Sequence, residues 1–346
     1  MKTEYVKLEM KKNLDEQLLC AAEIIKRGGL VVFPTETVYG LGASALDDTA
    51  SRKIYAAKGR PSDNPLIIHI SSPEEAEKYC VTNEKYYLLA EKFLPGPLTV
   101  IMQKKDIIPK TVTGGLDTVA VRCPENEAAR ALIRLSGVPI AAPSANISGK
   151  PSPTSALHVR EDLDGKVDMI IDGGECKIGL ESTIVKLDDD GATLLRPGAI
   201  TPEMLEEVLG AIKLDGGITK KNETNAAPLA PGMKYKHYAP RAQVYLLKGE
   251  RGKIESFLKE KLAEDKLTGV LCFDELADVV GGEYTFRFGK ADDGASHAKL
   301  LFKALRYFDE TGVNKIYATA VGTEGIDLAT YNRMLKASGY TIIELK

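Results

Sequence analysis

The residues in this sequence best suited to chemistry are two cations in a loop between apolar segments. Lys58 and Arg60 belong to the run KGRPSDNP, which follows a predicted helix at 47–57 and precedes an apolar segment at 66–70. Arginine offers phosphate oxygens a planar fork and lysine offers them a point charge, so the pair suits an anionic ligand. The alternative is a solvated loop whose charges contact water.

A polar segment follows the apolar run 30–33, which reads as a short buried strand ended by Pro34. Binding groups often collect where a buried strand ends, and Thr35 and Glu36 lie at that point. Gly40 and Gly42 come soon afterwards, and their conformational freedom predicts a turn there.

Helical and strand patterns alternate along the chain, which is typical of an α/β protein. Helices are predicted at 13–27, 74–80, 84–93, 125–136 and 202–209, and strands at 98–102, 119–122, 167–172 and 182–187. Residues 215–240 have the Gly-, Asn-, Lys- and Pro-rich composition of a linker. Beyond them, strands at 243–247, 269–273 and 315–320 alternate with helices at 253–264, 291–310 and 327–338. This predicts a small parallel, Rossmann-like sheet, without the Gly-x-Gly-x-x-Gly turn of a dinucleotide site.

Composition limits the function classes. The 346 residues carry a formal net charge of −3, which gives no whole-chain attraction to nucleic acid. Five scattered cysteines without Cys-x-x-Cys spacing favour neither a zinc site nor a disulfide framework, and they fit a reducing cytoplasm. We find no apolar run of membrane-spanning length and no signal-peptide core at the N-terminus, so we expect a cytoplasmic protein without a membrane partner.

Several motifs resemble the YrdC-type family of L-threonylcarbamoyladenylate synthases. They are PTETVYGL at 34–41, KGRPSDNPL at 58–66, TGGLDTVAVRCP at 113–124, APSANISGKPSPT at 142–154, GLESTIVKL at 179–187 and LLRPGAI at 194–200. A later run, PGMKYKHYAP at 231–240, is similar to the linker of the long form. The resemblance implies a twisted mixed-sheet YrdC-like catalytic domain at 1–212, a linker at 213–241 that folds over the active site, and a Rossmann-like C-terminal domain at 242–346.

The activity implied by the resemblance is that of a nucleotidyltransferase. Such an enzyme joins L-threonine, bicarbonate or CO₂, and ATP into threonylcarbamoyl-AMP and releases pyrophosphate. Downstream transfer proteins would use the product to modify the adenosine next to the tRNA anticodon, and direct tRNA binding is left open. No covalent nucleophile is needed, so catalysis would rest on positioning and charge neutralisation. Mg²⁺ would accompany ATP, and because this ion keeps several waters we assign it no protein ligand, although Glu36 and Glu181 lie within the motifs.

The resemblance also implies roles for individual residues. The L-threonine-binding residues would be Thr35, His69, Arg122, Ala142 and Ser182, with the pair Ala141 and Ala142 as a wall that limits side-chain size. The ATP-binding residues would be Lys58, Arg60, Ser62, Thr118, Ser144, Asn146, Ser152, Arg196 and Tyr238, of which Lys58 and Arg60 would also be catalytic.

Each role has a structural alternative. Arg122 could form an ordinary surface ion pair, His69 could be a core histidine bonded to backbone, and Ser144 or Asn146 could cap a turn. For the whole chain, the alternatives are an RNA-binding or ribosome-maturation module and a carbamoyl-transfer domain of the hydrogenase-maturation type. The acidic balance disfavours the former, and the missing cysteine pairs disfavour the latter.

Overall fold

The computed structural model describes residues 2–9, 11–188, 191–220, 228, 230 and 237–346. The chain divides into two compact units. The first unit comprises 1–148, 152–218 and 222–234, and the second comprises 149–151, 219–221 and 235–346.

The first unit is built on a mixed sheet, as the sequence predicts. Eleven strands of the described residues lie in the order β1-β8-β2-β3-β7-β4-β6-β5-β9-β10-β11. Their bounds are β1 Glu4–Lys7, β2 Val31–Phe33, β3 Gly40–Ser44, β4 Ile67–His69, β5 Leu98–Gln103, β6 Thr118–Arg122, β7 Ile140–Ala141, β8 Met169–Asp172, β9 Thr183–Asp188, β10 Gly191–Arg196 and β11 Lys213–Leu214. The central pair β4 and β6 is parallel, with His69 in register with Arg122.

The helices of this unit begin and end at residues whose types favour helix termini. Asp47 caps α2 by accepting hydrogen bonds from the amides of Thr49 and Ala50, and Gly59 ends it at a φ of 61°. The full set is α1 Leu14–Lys26, α2 Asp48–Lys58, α3 Ala76–Tyr79, α4 Glu84–Phe93, α5 Lys110–Thr113, α6 Glu127–Ser136, α7 Ala156–Leu163 and α8 Pro202–Leu209. Because Gly59 turns the chain, Lys58 ends the helix while Arg60 enters the next loop.

The turn predicted at Gly40 and Gly42 is wrong, because both residues belong to strand β3, which pairs antiparallel with β2. The reason for glycine here is steric. A Cβ atom on Gly42 would lie 2.8 Å from the Phe33 ring and 2.7 Å from Ile140, and one on Gly40 would lie 3.1 Å from the same ring. The two glycines therefore make room for Phe33, whose ring packs edge-on against His69 with the ring centroids 5.9 Å apart.

The second unit has the predicted parallel, Rossmann-like sheet. Its described strands lie in the order β14-β13-β15-β12-β16, and every pair is parallel. The strands are β12 Gln243–Gly249, β13 Thr268–Cys272, β14 Thr285–Arg287, β15 Lys315–Thr319 and β16 Ile342–Leu345, and the helices are α9 Arg251–Glu264, α10 Asp274–Val280, α11 Gly294–Thr311 and α12 Asp327–Ala337. The sequence did not predict α10, β14 or β16.

Candidate active site

A buried ion pair lies at the end of β6. The Arg122 Nη2 atom donates to Glu36 Oε1 at 2.6 Å, and the two side chains are 5% and 1% exposed. The second Glu36 oxygen accepts from the Glu125 amide at 3.2 Å. Arg122 is therefore not the surface ion pair considered above. Its buried Nε atom has no partner in the described part of the chain, so one donor of the guanidinium remains available.

His69 lies beside Arg122 on the adjacent strand and is 3% exposed. Its Nδ1 atom lies 3.2 Å from the Ile67 carbonyl oxygen and 3.3 Å from that of Ile140, which assigns the proton to Nδ1. Burial and then the Arg122 charge lower the pKa of His69 to about 3, so the ring is neutral. His69 is therefore the backbone-bonded core histidine that the sequence analysis considered, and its Nε2 lone pair can also accept a hydrogen bond from a ligand.

Ser182 and Arg196 lie together, although the resemblance assigned them to different substrates. Arg196 donates from Nη2 to the Ser182 hydroxyl at 3.2 Å and from Nε to its carbonyl at 3.0 Å. The same hydroxyl lies 2.8 Å from that of Thr99 in β5. Thr99 was missed by the sequence analysis. The sequence feature that could have identified Thr99 is its hydroxyl within the apolar run LTVIM, because a buried polar group needs a hydrogen-bond partner.

Thr35 closes a local turn. Its hydroxyl donates to the Val38 carbonyl at 2.6 Å and accepts from the amides of Thr37 and Val38, each at 3.2 Å. Among the described residues, this hydroxyl forms no hydrogen bond to Arg122 or Ser182. The next residue, Glu36, nevertheless pairs with Arg122, so the turn borders the ion pair.

Lys58 bonds to the Ser-Ala-Asn turn at 144–146. Lys58 Nζ donates to the carbonyl oxygens of Ser144 and Asn146, each at 2.5 Å, and Lys58 is 2% exposed. The Ser144 hydroxyl donates to Asn146 Oδ1 at 2.6 Å. These hydrogen bonds join the end of α2 to the turn and hold the Lys58 amino group beside Ser144 and Asn146.

The loop after Lys58 has its own hydrogen bonds. Arg60 is half-buried and donates to the carbonyls of Asn64 and Pro65 at 3.3 and 3.0 Å, whereas Ser62 is exposed. The buried Asn64 Oδ1 atom has no partner among the described residues. Asn64 is a second residue that the sequence analysis missed, although it lies within KGRPSDNP.

The remaining predicted residues have contacts of their own. Thr118 begins β6, and the Ser152 hydroxyl donates to Glu181 at 2.6 Å. Ala142 is buried and donates its amide to the Ile67 carbonyl at 2.9 Å. Tyr238 belongs to the second unit, where its ring packs on Phe302 with the centroids 5.1 Å apart and its φ is 63°. Residues 231–236 of the PGMKYKHYAP run lie outside the described residues.

Among the described residues, no group of three or more His, Cys, Asp or Glu side chains could hold a metal ion. The two carboxylates within the motifs are already bonded, Glu36 to Arg122 and Glu181 to Ser152. No helix in the described ranges is long and apolar enough to cross a membrane.

Two family models together match most of the chain. The model described as "Telomere recombination" matches residues 23–198, and the model described as "Threonylcarbamoyl-AMP synthase, C-terminal domain" matches 200–339.

Full-length relatives give the same assignment. The threonylcarbamoyl-AMP synthase of Pyrococcus abyssi is 48% identical over 343 residues, which cover 98% of this chain and 99% of that protein. The Bacillus subtilis synthase is 46% identical over 331 residues, or 95% of each chain. The crystal structure of P. abyssi Sua5 complexed with L-threonine has a TM-score of 0.90 at 46% identity and covers 100% of both chains. The predicted family and enzyme class are confirmed: the chain belongs to the threonylcarbamoyl-AMP synthase family, in the long form that carries a C-terminal domain.

Proposed function

We propose that this enzyme joins L-threonine, bicarbonate or CO₂, and ATP into L-threonylcarbamoyl-AMP and releases pyrophosphate. The observation that carries the proposal is the buried Arg122–Glu36 pair, with its unused Nε donor, beside the neutral ring of His69. A cation and a neutral acceptor held together in a dry environment suit an amino acid, which presents a carboxylate and hydrogen-bond donors.

Threonine would bind to this face of β4 and β6. Its carboxylate would accept hydrogen bonds from Arg122, and its hydroxyl or amine would donate to His69 Nε2. Ala141 and Ala142 are buried beside these strands and would limit the size of the side chain. Because Glu36 already holds the guanidinium in place, little side-chain entropy would be lost on binding.

In this reaction no group of the protein forms a covalent bond with a substrate. The threonine amine captures CO₂ as a carbamate and loses its proton to water or to a substrate phosphate oxygen. A carbamate oxygen then forms a bond to the α-phosphorus, the bond from that phosphorus to the bridging oxygen breaks, and pyrophosphate leaves with the electron pair. Lys58 and Arg60 would neutralise charge on the phosphates, supported by Ser144 and Asn146.

Magnesium would enter with the triphosphate. The described residues offer no carboxylate cluster, and this donor set fits an ion held mainly by phosphate oxygens and water. We also propose that the product passes to transfer proteins that modify the adenosine next to the tRNA anticodon, in the cytoplasm. Five free cysteines, four of them buried, are compatible with that reducing compartment.

The division into a catalytic domain at 1–212, a linker at 213–241 and a C-terminal domain at 242–346 remains a proposal, as does a linker that covers the active site. Ala230 supports the covering role, because it is fully buried in a cluster with Ile67 and Ala120. Residues two apart on a strand share a face, so this is the face that carries His69 and Arg122. A covered site would shield a labile adenylate from water.

The test of the activity is to incubate the protein with ATP, magnesium and bicarbonate, with and without L-threonine, and to measure pyrophosphate and the adenylate by rapid chromatography. We expect threonine-dependent formation of both. Pyrophosphate release that ignores threonine, together with tight RNA binding, would replace the synthase with the RNA-binding alternative.

The covering role has its own test in Tyr238→Ala, with Tyr238→Phe as the matched control that keeps the ring on Phe302. We expect the alanine variant, assayed at a temperature at which it is folded, to release severalfold more adenylate into solution per pyrophosphate formed, or to bind ATP more weakly. Kinetics equal to those of the parent would argue against a lid.

A further inference from the structure

The second unit contains a cavity of about 470 Å³ at the carboxyl edge of its parallel sheet. Strands β12, β13 and β15 all end beside it. Its apolar walls are formed by Leu247, Ile254, Phe273, Leu276, Val321 and Tyr331. This volume lies within the range of small-molecule pockets, about 300–1,000 Å³.

The order of the strands explains why a cavity forms here. The chain moves across the sheet in one direction from β12 through β13 to β14, and it returns through β15 to β16. Right-handed crossovers then place α9 and α10 on one face and α11 and α12 on the other. Loops that leave neighbouring strands for opposite faces open a crevice at the carboxyl edge, which is where open α/β sheets bind ligands.

An unsatisfied hydroxyl lines this cavity. Thr319, the last residue of β15, is 5% exposed, and its Oγ1 atom is buried without a hydrogen-bond partner among the described residues. Thr319 shares a strand face with Tyr317, whose ring packs edge-on against Phe257 of α9. The hydroxyl therefore lies on the side of the sheet that α9 covers. Because a buried hydroxyl without a partner destabilises the protein, its position suggests a ligand group that bonds to it.

The charged groups around the cavity indicate the kind of ligand. Arg251, the first residue of α9, donates from Nη2 to the Glu275 carbonyl at 2.6 Å, which holds its guanidinium beside the opening. Lys248 and the Glu275 carboxylate also line the cavity, so two cations accompany one carboxylate. A carboxylate can accept from an N–H group of a ligand, while the cations favour one anionic group.

We propose that this cavity binds a small aromatic anion that carries an N–H donor. The flat apolar ring lies between Phe273 and the aliphatic walls, the anion bonds to Arg251, and the N–H group faces Glu275. A polar atom of the ligand bonds to the Thr319 hydroxyl. Adenosine monophosphate and L-tryptophan both carry this set of groups and represent its nucleotide and amino-acid sources.

The test uses the full chain and 8-anilinonaphthalene-1-sulfonate, a fluorescent probe that has an aromatic body, a sulfonate and an anilino N–H. We expect saturable binding of one probe per chain. Thr319→Val keeps the shape of the side chain and should weaken binding about fivefold, since one hydrogen bond is lost. Arg251→Gln should weaken it about tenfold. Ala291→Trp, at an exposed lining position, should abolish it.

Two exposed positions on α11 provide matched controls, Lys299→Gln for the lost charge and Ala295→Trp for the added ring. Both should bind the probe as the parent does. Thr319→Val should also keep or raise the melting temperature of the ligand-free protein, because it removes an unpartnered hydroxyl. This readout separates a lost ligand contact from a damaged fold.

Displacement of the probe by adenosine monophosphate supports a nucleotide source, and displacement by L-tryptophan supports an amino-acid source. Equal probe binding by the parent and the three cavity variants would overturn the proposal. So would a Thr319→Val protein that melts at a markedly lower temperature, because its hydroxyl would then have a partner within the fold.

Discussion

The candidate active site and the cavity of the second unit hold their cations in opposite ways. In the first unit, Arg122 and Lys58 are buried and bonded to other groups of the chain before any substrate arrives. In the second unit, Arg251 and Lys248 are exposed at an apolar cavity, although Arg251 also donates to the Glu275 carbonyl. Buried charges require partners, so the first site is organised in advance and should discriminate sharply between ligands. The cavity would gain its affinity mainly from apolar burial and should be more tolerant.

Two buried histidines extend the comparison. His69 lies beside a cation and backbone carbonyls, whereas His297 bonds through Nδ1 to Asp327 at 2.9 Å and through Nε2 to the Lys290 carbonyl at 2.8 Å. Burial lowers the pKa of His297, but the bond to Asp327 and its charge outweigh that effect, so the net shift is upward. The same side chain is therefore neutral in one unit and favours the charged form in the other.

The largest expected effect comes from breaking the ion pair of the first site with Arg122→Gln. The variant loses the fork for the threonine carboxylate and leaves Glu36 buried without its cation. We expect KM for threonine to rise about 100-fold or more, since charged hydrogen bonds contribute about 1.5–3 kcal/mol each. We also expect the free energy of unfolding to fall by about 3–5 kcal/mol. Steady-state kinetics and urea unfolding measure the two effects.

The double variant Arg122→Gln with Glu36→Gln separates these effects. It no longer contains an unpaired buried charge, so stability should recover while threonine affinity stays low. Recovery of threonine affinity in the double variant would show that Arg122 acts only as the partner of Glu36.

A second large effect is expected from Lys58→Met, which keeps the length of the side chain and removes its charge. The variant loses a phosphate contact and leaves the carbonyls of Ser144 and Asn146 without their donor. We expect kcat/KM for ATP to fall about 100-fold, equal to about 2.7 kcal/mol. Lys53→Met is the matched control, because Lys53 lies on the same helix and also donates to a carbonyl, that of Gly28 at 2.6 Å. A similar loss in both variants would contradict a specific role for Lys58.

The sequence predicted best those elements whose signals are local. Helix α4 was predicted with its observed bounds, and the Asn13 and Asp47 caps define the starts of α1 and α2. Strand β1 was missed because its partner β8 follows more than 160 residues later, so no nearby pattern marks it. Strand β3 was missed because its glycines are required by the Phe33 ring, a contact across the sheet.

The same distinction applies to the site. Motifs indicated the residue types, so Arg122, His69 and Lys58 were all selected from the sequence. The pairing of Arg122 with Glu36 was not predicted, because the two residues are 86 residues apart in the sequence and come together only in the folded sheet. Whether a charge lies at the surface or in a buried pair depends on that long-range packing, and a local pattern does not contain it.

A smaller effect concerns His69 and the free energy of unfolding at acid pH. Its folded pKa of about 3 lies below the ordinary value of 6.5. The unfolded chain therefore takes up a proton as the pH falls below about 6.5, while the folded protein does not, and stability is lost in that direction. Between pH 7 and pH 5, His69→Gln should lose about 2 kcal/mol less of its unfolding free energy than the parent. Identical losses in urea unfolding would contradict a neutral His69.

The smallest expected effect has the opposite sign and concerns His297. Its folded pKa is raised, so its contribution to stability is complete below the unfolded value of about 6.5 and is lost as the pH rises through the folded value. The parent should therefore lose more stability than His297→Gln between pH 6 and pH 9. Asp327→Asn, which keeps an acceptor but removes the charge, should flatten the curve in the same way. Thermal unfolding at matched ionic strength measures these differences. If His297→Gln instead reduced the loss of stability at acid pH, the effect of Asp327 on the pKa of His297 would not outweigh that of burial. The electrostatic contrast between the two units would then be wrong.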